Sequence, residues 1–151
     1  KGTAVTLYLP RSEEPLEAES ADARASVPVR QRLRVLLVED NPDVAKVARA
    51  YLEDSGYVVQ QAADVASAQA VLRGEEKFDV VLSDIVMPGA GNGLDLARWV
   101  REQFAGGLPI VLATGYSDQA QAATDEGFLI LRKPYDSASL NDALNDVLKR
   151  R

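Results

Sequence analysis

Cysteine and histidine are both absent from this 151-residue sequence, and each absence removes a class of chemistry. Without cysteine, the chain forms no disulfide and offers no thiolate to a metal ion. Without histidine, it has no imidazole to act as a general base, and it cannot by itself be a histidine kinase or a histidine phosphotransfer protein. The lack of histidine restricts the possible chemistry more than any other count.

Long hydrophobic runs and basic patches are also missing. No stretch approaches the ~18 apolar residues that a membrane span needs, and no secretory leader pattern is visible. We therefore expect a cytoplasmic domain without direct membrane contact. Whether a longer parent protein is anchored in a membrane does not follow from these patterns. The formal net charge is −6. Nucleic-acid-binding proteins more often have a basic face, because phosphate contacts supply most of their affinity, so we expect no nucleic-acid partner.

The sequence divides into three parts where its composition changes. Residues 1–10 alternate apolar and polar side chains, like a short half-buried strand, and Pro10 ends the pattern. Residues 11–32 have no periodic apolar face and are predicted to be a linker. In residues 33–151, short apolar runs alternate with amphipathic stretches, which indicates one domain carrying a flexible or loosely docked tail.

Five apolar runs and five helical patterns alternate in the predicted domain. The runs cover residues 33–38, 57–62, 78–83, 109–114 and 128–131, and the helices cover about 42–55, 64–73, 94–104, 117–125 and 137–149. Near-continuous apolar runs are typical of parallel strands that are covered on both faces. Alternation with helices and right-handed crossovers implies an α/β, doubly wound parallel sheet. We predict the flavodoxin-like strand order 2-1-3-4-5, with a ligand site beyond the carboxyl ends of strands 1 and 3.

Polar residues stand at the ends of four predicted strands. Strand 1 ends in Glu39 and Asp40, strand 3 in Asp84, strand 4 in Thr114, and strand 5 leads to Lys133. These side chains should converge, because the carboxyl ends of parallel strands share one edge. Three carboxylates there would raise one another's pKa, a cost that a hard cation such as Mg2+ removes. Carboxylate, Mg2+, ammonium and hydroxyl are the groups needed to form and hold an aspartyl phosphate.

Each of these residues has an ordinary explanation when it is taken alone. Asp84 could cap a turn, and Glu39 with Asp40 could favour a helix N-terminus through their negative charge. Thr114 could simply lead into a turn, and Lys133 could be a solvated loop lysine. Their joint occurrence at one edge of the sheet favours the functional explanation.

Four segments carry a family resemblance: VLLVEDN at 35–41, VVLSDIVMPG at 80–89, VLATGYS at 111–117 and LRKPY at 131–135. They resemble the receiver domains of two-component response regulators, from about Leu33 to the C-terminus. The resemblance implies that Asp84 accepts a phosphoryl group. It also implies that Asp40 and Asp84 bind Mg2+ directly, that Glu39 binds it mainly through water, and that the Val86 carbonyl is a further ligand.

The same resemblance implies roles for the other residues of the crevice and for partners. Thr114 and Lys133 would hold the phosphoryl oxygens, and the Lys133–Pro134 peptide would be cis. The partner would be a kinase or phosphotransfer domain that bears a phosphohistidine, and the isolated domain would be a monomer. The domain itself is not expected to be an enzyme with turnover. Bulky groups at Val86 and Tyr116 should restrict water, so we expect no fast self-dephosphorylation.

Some features depart from the commonest family pattern. Ile130 lies three residues before the lysine, at the position where the family has a switch aromatic. We therefore expect phosphorylation to change the fourth-strand face only modestly. The loop PGAGNG is one residue longer than usual and the fourth helix is short, as in receivers attached to hybrid histidine kinases. KGTAVTLYLPR at 1–11 resembles the last strand of a kinase ATP-binding domain. These features suggest the C-terminal receiver of a hybrid sensor kinase, and the alternative for residues 1–10 is an edge strand or tail of an ordinary response regulator.

Two other functions are compatible with a sheet of this kind. Phosphatases that form an aspartyl phosphate have a DxD pattern at the nucleophile. Here Asp84 is followed by Ile85 and Val86, so the second Asp of that pattern is missing. A flavin or nucleotide binder of the flavodoxin type would need backbone N–H groups and glycine around the phosphate. Three carboxylates in the crevice argue against that second alternative.

Overall fold

The computed structural model of the chain describes residues 32–89, 91–115 and 118–150. The predicted strand at 1–10 and the predicted linker, apart from Arg32, lie outside these residues, as does Tyr116. Within the described ranges, no helix is long and apolar enough to cross a membrane.

Five parallel strands form a single sheet in the described part of the chain. Their order is β2-β1-β3-β4-β5, and every neighbouring pair is parallel, which confirms the predicted flavodoxin-like topology. The central strands are buried along nearly their whole length, as their continuous apolar sequences predict. The strands are β1 Arg34–Val38, β2 Val58–Ala62, β3 Val80–Asp84, β4 Ile110–Thr114 and β5 Leu129–Arg132.

The helices lie close to their predicted positions: α1 Pro42–Asp54, α2 Val65–Leu72, α3 Gly93–Gln103, α4 Asp118–Asp125 and α5 Ser137–Lys149. Side chains that accept hydrogen bonds from the first-turn amides cap four of them, namely Asn41, Asp64, Asn92 and Asp136. Helix α3 begins one residue earlier than predicted because Asn92 caps it. Helix α4 has eight residues, in agreement with the expectation of a short fourth helix.

The ends of strands β3 and β5 differ from the prediction, because pairing with the neighbouring strand sets them. Strand β3 begins at Val80 and extends to Asp84, which is paired in register with Ala113 of β4. Strand β5 extends to Arg132, which is paired with Thr114. The apolar run alone could not locate these ends, because the neighbouring strand determines how far the ladder continues.

Apolar side chains cover both faces of the sheet and hold the strand ends in place. Helices α2, α3 and α4 pack on one face and helices α1 and α5 on the other. Successive strand residues point to opposite faces, so Leu36 and Val81 belong to the first layer and Leu37 and Leu82 to the second. Because the interior is close-packed on both sides, the residues that follow the central strands have well-defined positions.

Candidate functional site

Three carboxylates meet at the carboxyl edge of the two central strands. Strands β1 and β3 are neighbours, with Val38 paired to Ser83, so the residues that follow each strand lie side by side. The side chains of Glu39, Asp40 and Asp84 each place a carboxylate oxygen within 4.8 Å of the others. Glu39 is only 4% exposed, whereas Asp40 is exposed. The predicted convergence of these residues is confirmed.

Lys133 joins this cluster from the loop after β5. Its Nζ donates to Asp84 Oδ2 at 2.8 Å and to Glu39 Oε2 at 2.7 Å. Burial has the largest single effect on the Lys133 pKa and lowers it, but the hydrogen bonds and charges of Asp84 and Glu39 together raise the pKa above its ordinary value. The ammonium therefore remains charged at neutral pH and offsets part of the carboxylate charge.

The backbone around Lys133 follows the prediction. The Lys133–Pro134 peptide is cis, as the family resemblance implied. The backbone N–H of Lys133 donates to the Thr114 carbonyl at 2.7 Å, which ties the loop to the end of β4. Lys133 is thus attached to the same edge of the sheet as the carboxylates.

The Asp84 carboxylate is oriented by a donor at each oxygen. Lys133 donates to Oδ2, and the backbone N–H of Val86 donates to Oδ1 at 3.1 Å. The Asp84 side chain is 12% exposed, so a small molecule or a partner's side chain has access to it. Val86 lies in the loop directly after β3 and is 58% exposed. A preoriented, accessible carboxylate is suited to nucleophilic attack.

Thr114 ends β4 at the same edge and is 1% exposed. It lines a cavity of about 190 Å3 under α4, together with Ile130 and Thr124 among others. Ile130 is half-buried and occupies the position at which the family pattern has an aromatic residue. The smaller Ile130 side chain therefore borders this cavity next to Thr114.

Two residues that the sequence analysis did not single out contact the main chain of Asp84. The Ser83 hydroxyl donates to the Asp84 carbonyl at 2.9 Å. Gly93 lies so close to the same carbonyl that a Cβ atom there would be 2.0 Å from it. Gly93 belongs to the glycine-rich stretch MPGAGNG at 87–93, and glycine is a signal of close contact between backbones. The sequence alone did not indicate that the contact is with Asp84.

The donor set fits a magnesium ion. Mg2+ prefers hard oxygen ligands and is usually held by one or two carboxylates, with water and phosphate oxygens completing its octahedron. The cluster offers carboxylate oxygens only, and the exposure of Asp40 leaves room for water. No nitrogen or sulfur ligand of the kind that zinc prefers is present, since the sequence has neither histidine nor cysteine.

Residues 35–145 match the family described as the response regulator receiver domain. The chain belongs to this family. It is therefore a receiver domain of two-component signalling, as its sequence motifs indicated, and receiver domains generally use Mg2+ at an acidic pocket like the one formed here.

Known proteins resemble this receiver domain in sequence and in structure. The transcriptional regulatory protein GlrR of Escherichia coli is 34% identical over 119 residues, which are 77% of this chain and 26% of GlrR. The autoinducer 2 sensor kinase/phosphatase LuxQ of Vibrio vulnificus is 33% identical over 120 residues, which are 76% of this chain and 13% of LuxQ. The chain thus spans about a quarter or less of these relatives.

The structure of a response regulator receiver protein from Sinorhizobium medicae superimposes on this receiver domain with a TM-score of 0.71. The two sequences are 28% identical, and the match covers 79% of this chain and 96% of that one. Almost all of the receiver fold is therefore shared between them.

Proposed function

We propose that this receiver domain accepts a phosphoryl group from a phosphohistidine onto Asp84, in a reaction that requires Mg2+, and so works as a switch in a phosphorelay. The observation that carries the proposal is the position of the Lys133 ammonium. It binds Asp84 and Glu39 at 2.8 and 2.7 Å, beside three carboxylates whose oxygens lie within 4.8 Å of one another. The proposed nucleophile, the proposed magnesium ligands and the Lys133 ammonium that would bind the phosphoryl group therefore lie in one crevice.

The transfer uses a carboxylate oxygen of Asp84 as the nucleophile. That oxygen forms the new O–P bond while the N–P bond of the donor breaks, and the imidazole leaves with the electron pair. Asp40, Asp84 and the Val86 carbonyl would hold Mg2+, with Glu39 acting through water, and the bound ion would supply positive charge opposite the phosphoryl oxygens. Lys133 exchanges its bond to Asp84 for one to a phosphoryl oxygen.

Thr114 is the second group proposed to hold the phosphoryl oxygens. Its position at the buried end of β4, one residue beyond the partner of Asp84 in the sheet, places it at the same edge as the nucleophile. A hydroxyl there can donate to a phosphoryl oxygen, so phosphorylation would form a new hydrogen bond at the end of β4. Thr114 is thereby proposed to link the chemistry at Asp84 to the surface around α4.

An apolar groove beside the crevice supports docking of the phosphohistidine-bearing partner. The groove has a volume of about 580 Å3 and is lined by residues of α1 and of the loop after β5, namely Asp43, Val44, Val47, Ala48, Lys133, Pro134 and Tyr135. It is continuous with the acceptor site because Lys133 belongs to both. The chain has no histidine of its own. The phosphohistidine must therefore come from another domain, and this groove is the apolar surface that adjoins Asp84.

We further propose that the domain is the receiver of a hybrid sensor kinase. Residues 1–11 are similar to the last strand of a kinase ATP-binding domain. The similarity to LuxQ, which is itself a sensor kinase/phosphatase, supports the same context.

A small phosphodonor tests the acceptor chemistry directly. The protein is incubated with acetyl phosphate and MgCl2, and intact-mass spectrometry follows the phosphoryl group. We expect a single, acid-stable and alkali-labile group that is absent in EDTA and absent in Asp84→Asn. The proposal is wrong if Asp84→Asn is phosphorylated at the normal rate, and repeated release of phosphate would favour the phosphatase alternative instead.

A further inference from the structure

The backbone at the start of α3 lies directly against the backbone of the acceptor residue. A Cβ atom at Gly93 would lie 2.0 Å from the Asp84 carbonyl oxygen and 2.8 Å from both Asp84 C and Ile85 Cα. The N–H of Gly93 donates to the Ile85 carbonyl at 2.9 Å. The φ angle of Gly93 is outside the left-handed region, so the need for glycine comes from this close approach alone.

The two elements that meet at Gly93 have little freedom to separate. Strand β3 lies between β1 and β4 in the middle of the sheet. At the start of α3, Asn92 and Asp95 cap the helix by reciprocal hydrogen bonds of 2.9 and 3.1 Å. The helix also buries four residues that are at most 4% exposed, Leu94, Leu96, Ala97 and Val100. A close-packed core resists movement of either element, so the loop between them must absorb any displacement.

That loop includes one of the two groups that donate to the acceptor carboxylate. The Val86 N–H binds Asp84 Oδ1, and the N–H of Ile85 donates to the Ala113 carbonyl at 2.9 Å. Ser83 is fully buried, and its hydroxyl donates to the Asp84 carbonyl. Ser83 and Gly93 thus both contact the main-chain carbonyl of Asp84.

We propose that Gly93 and Ser83 are positioning residues for phosphoryl acceptance, which fix the Asp84 main chain and, through the loop, the amide and carbonyl of Val86. The inference rests on the proposed function of Asp84 and Mg2+. Real Cβ atoms essentially never come closer than 3.0 Å to such neighbours, so any side chain at Gly93 displaces the contact by about 1 Å. A misplacement of ~1 Å at a reacting centre can cost ~100-fold in rate.

The test is Gly93→Ala in the full chain, with readouts besides activity. We expect cooperative unfolding to be retained, Mg2+ affinity measured by calorimetry to fall about tenfold, and phosphorylation by acetyl phosphate to slow by about 100-fold. In metal-free protein, the NMR amide resonance of Val86 should shift. Affinity within twofold of the wild type together with an unchanged Val86 resonance would overturn the inference.

Two controls separate positioning from general damage. In Gly107→Ala the new Cβ meets the Phe104 carbonyl at 3.2 Å, at the opposite edge of the sheet, and Mg2+ affinity should stay unchanged. Leu72→Ala destabilises the core away from the crevice and should likewise leave the Val86 resonance in place. A loss of Mg2+ affinity in these controls equal to that in Gly93→Ala would overturn the positioning role.

A second variant serves if Gly93→Ala does not fold. Ser83→Ala removes only the hydroxyl that donates to the Asp84 carbonyl, and it keeps the buried shape. We expect it to shift the Val86 resonance and to weaken Mg2+ binding about threefold, and no change in either would overturn the inference. If the wild type itself takes up neither Mg2+ nor phosphate, the proposed function fails, while the metal-free Val86 resonance still decides whether these residues position the loop.

Discussion

Replacing Asp40 by asparagine should make the metal-free protein more stable while it removes a proposed magnesium ligand. Two unit charges 4.8 Å apart repel each other by ~1 kcal/mol in water and by ~3 kcal/mol at the effective dielectric constant of a protein surface. Asp40 is exposed, so the lower figure applies to each of its two carboxylate neighbours. Relief of this repulsion should raise the free energy of unfolding by about 1–2 kcal/mol in EDTA.

Two effects oppose this gain. The Lys133 ammonium binds Glu39 and Asp84 and offsets part of their charge, which keeps the gain near the lower end of that range. Asp40 precedes the N-terminus of α1, where a negative charge stabilises the helix dipole by about 0.3–1 kcal/mol. Asp43→Asn is the matched control, because Asp43 is in the first turn of α1 but outside the carboxylate cluster. The control should lose only the favourable helix interaction and become slightly less stable. The net gain expected for Asp40→Asn is therefore small but positive, below about 1 kcal/mol.

Magnesium should reverse the order of stabilities. A ligand at 100 times its dissociation constant stabilises the folded state by ~2.7 kcal/mol. Urea denaturation in EDTA and in MgCl2 measures both quantities in one series. We expect Asp40→Asn to be the more stable protein in EDTA and the wild type to be the more stable in MgCl2. The reasoning is refuted if Asp40→Asn is less stable in EDTA, or if MgCl2 stabilises both proteins equally.

Four further predictions follow from other parts of the structure. Lys133→Met leaves the Glu39 and Asp84 carboxylates without their donor, so denaturation in EDTA should show a loss of about 1–3 kcal/mol, and unchanged stability would contradict the bridge. Val47→Lys places a charge in the apolar groove and should slow transfer from a phosphohistidine donor at least tenfold. The rate with acetyl phosphate should stay unchanged, and equal effects on both rates would exclude a docking role for the groove. Hydrogen bonds from Ser139 hold the pKa of Asp136 below its ordinary value, so the stability that this cap contributes is present above pH ~4 and is lost as the pH falls through the lowered pKa. Melting curves of Asp136→Asn should therefore depend less on pH in that range than those of the wild type. Deleting residues 1–30 should change the free energy of unfolding by less than about 1 kcal/mol, because residues 11–32 have no periodic apolar face, and a larger loss would make them part of the domain.

The sequence determined the order of the elements, the topology class and the residues of the carboxylate crevice. Continuous apolar runs and helical periodicity are local properties of a chain, and together with handed crossovers they leave few possible arrangements of a parallel sheet. Because the carboxyl ends of such strands share one edge, the sequence alone assigns Glu39, Asp84 and Thr114 to that edge. The cis Lys133–Pro134 peptide was implied by the resemblance to receiver domains and is confirmed.

Only the tertiary structure decided which atoms meet at that edge. Lys133 binds Glu39, 94 positions away in sequence, and Asp84, 49 positions away, and no local pattern specifies which oxygen each bond uses. The contact of Gly93 with the Asp84 carbonyl is of the same kind, since it depends on where the packed core places α3 against the end of β3. Periodicity determines which face a residue occupies, whereas distances between elements follow from strand register and side-chain packing, which the whole chain determines together.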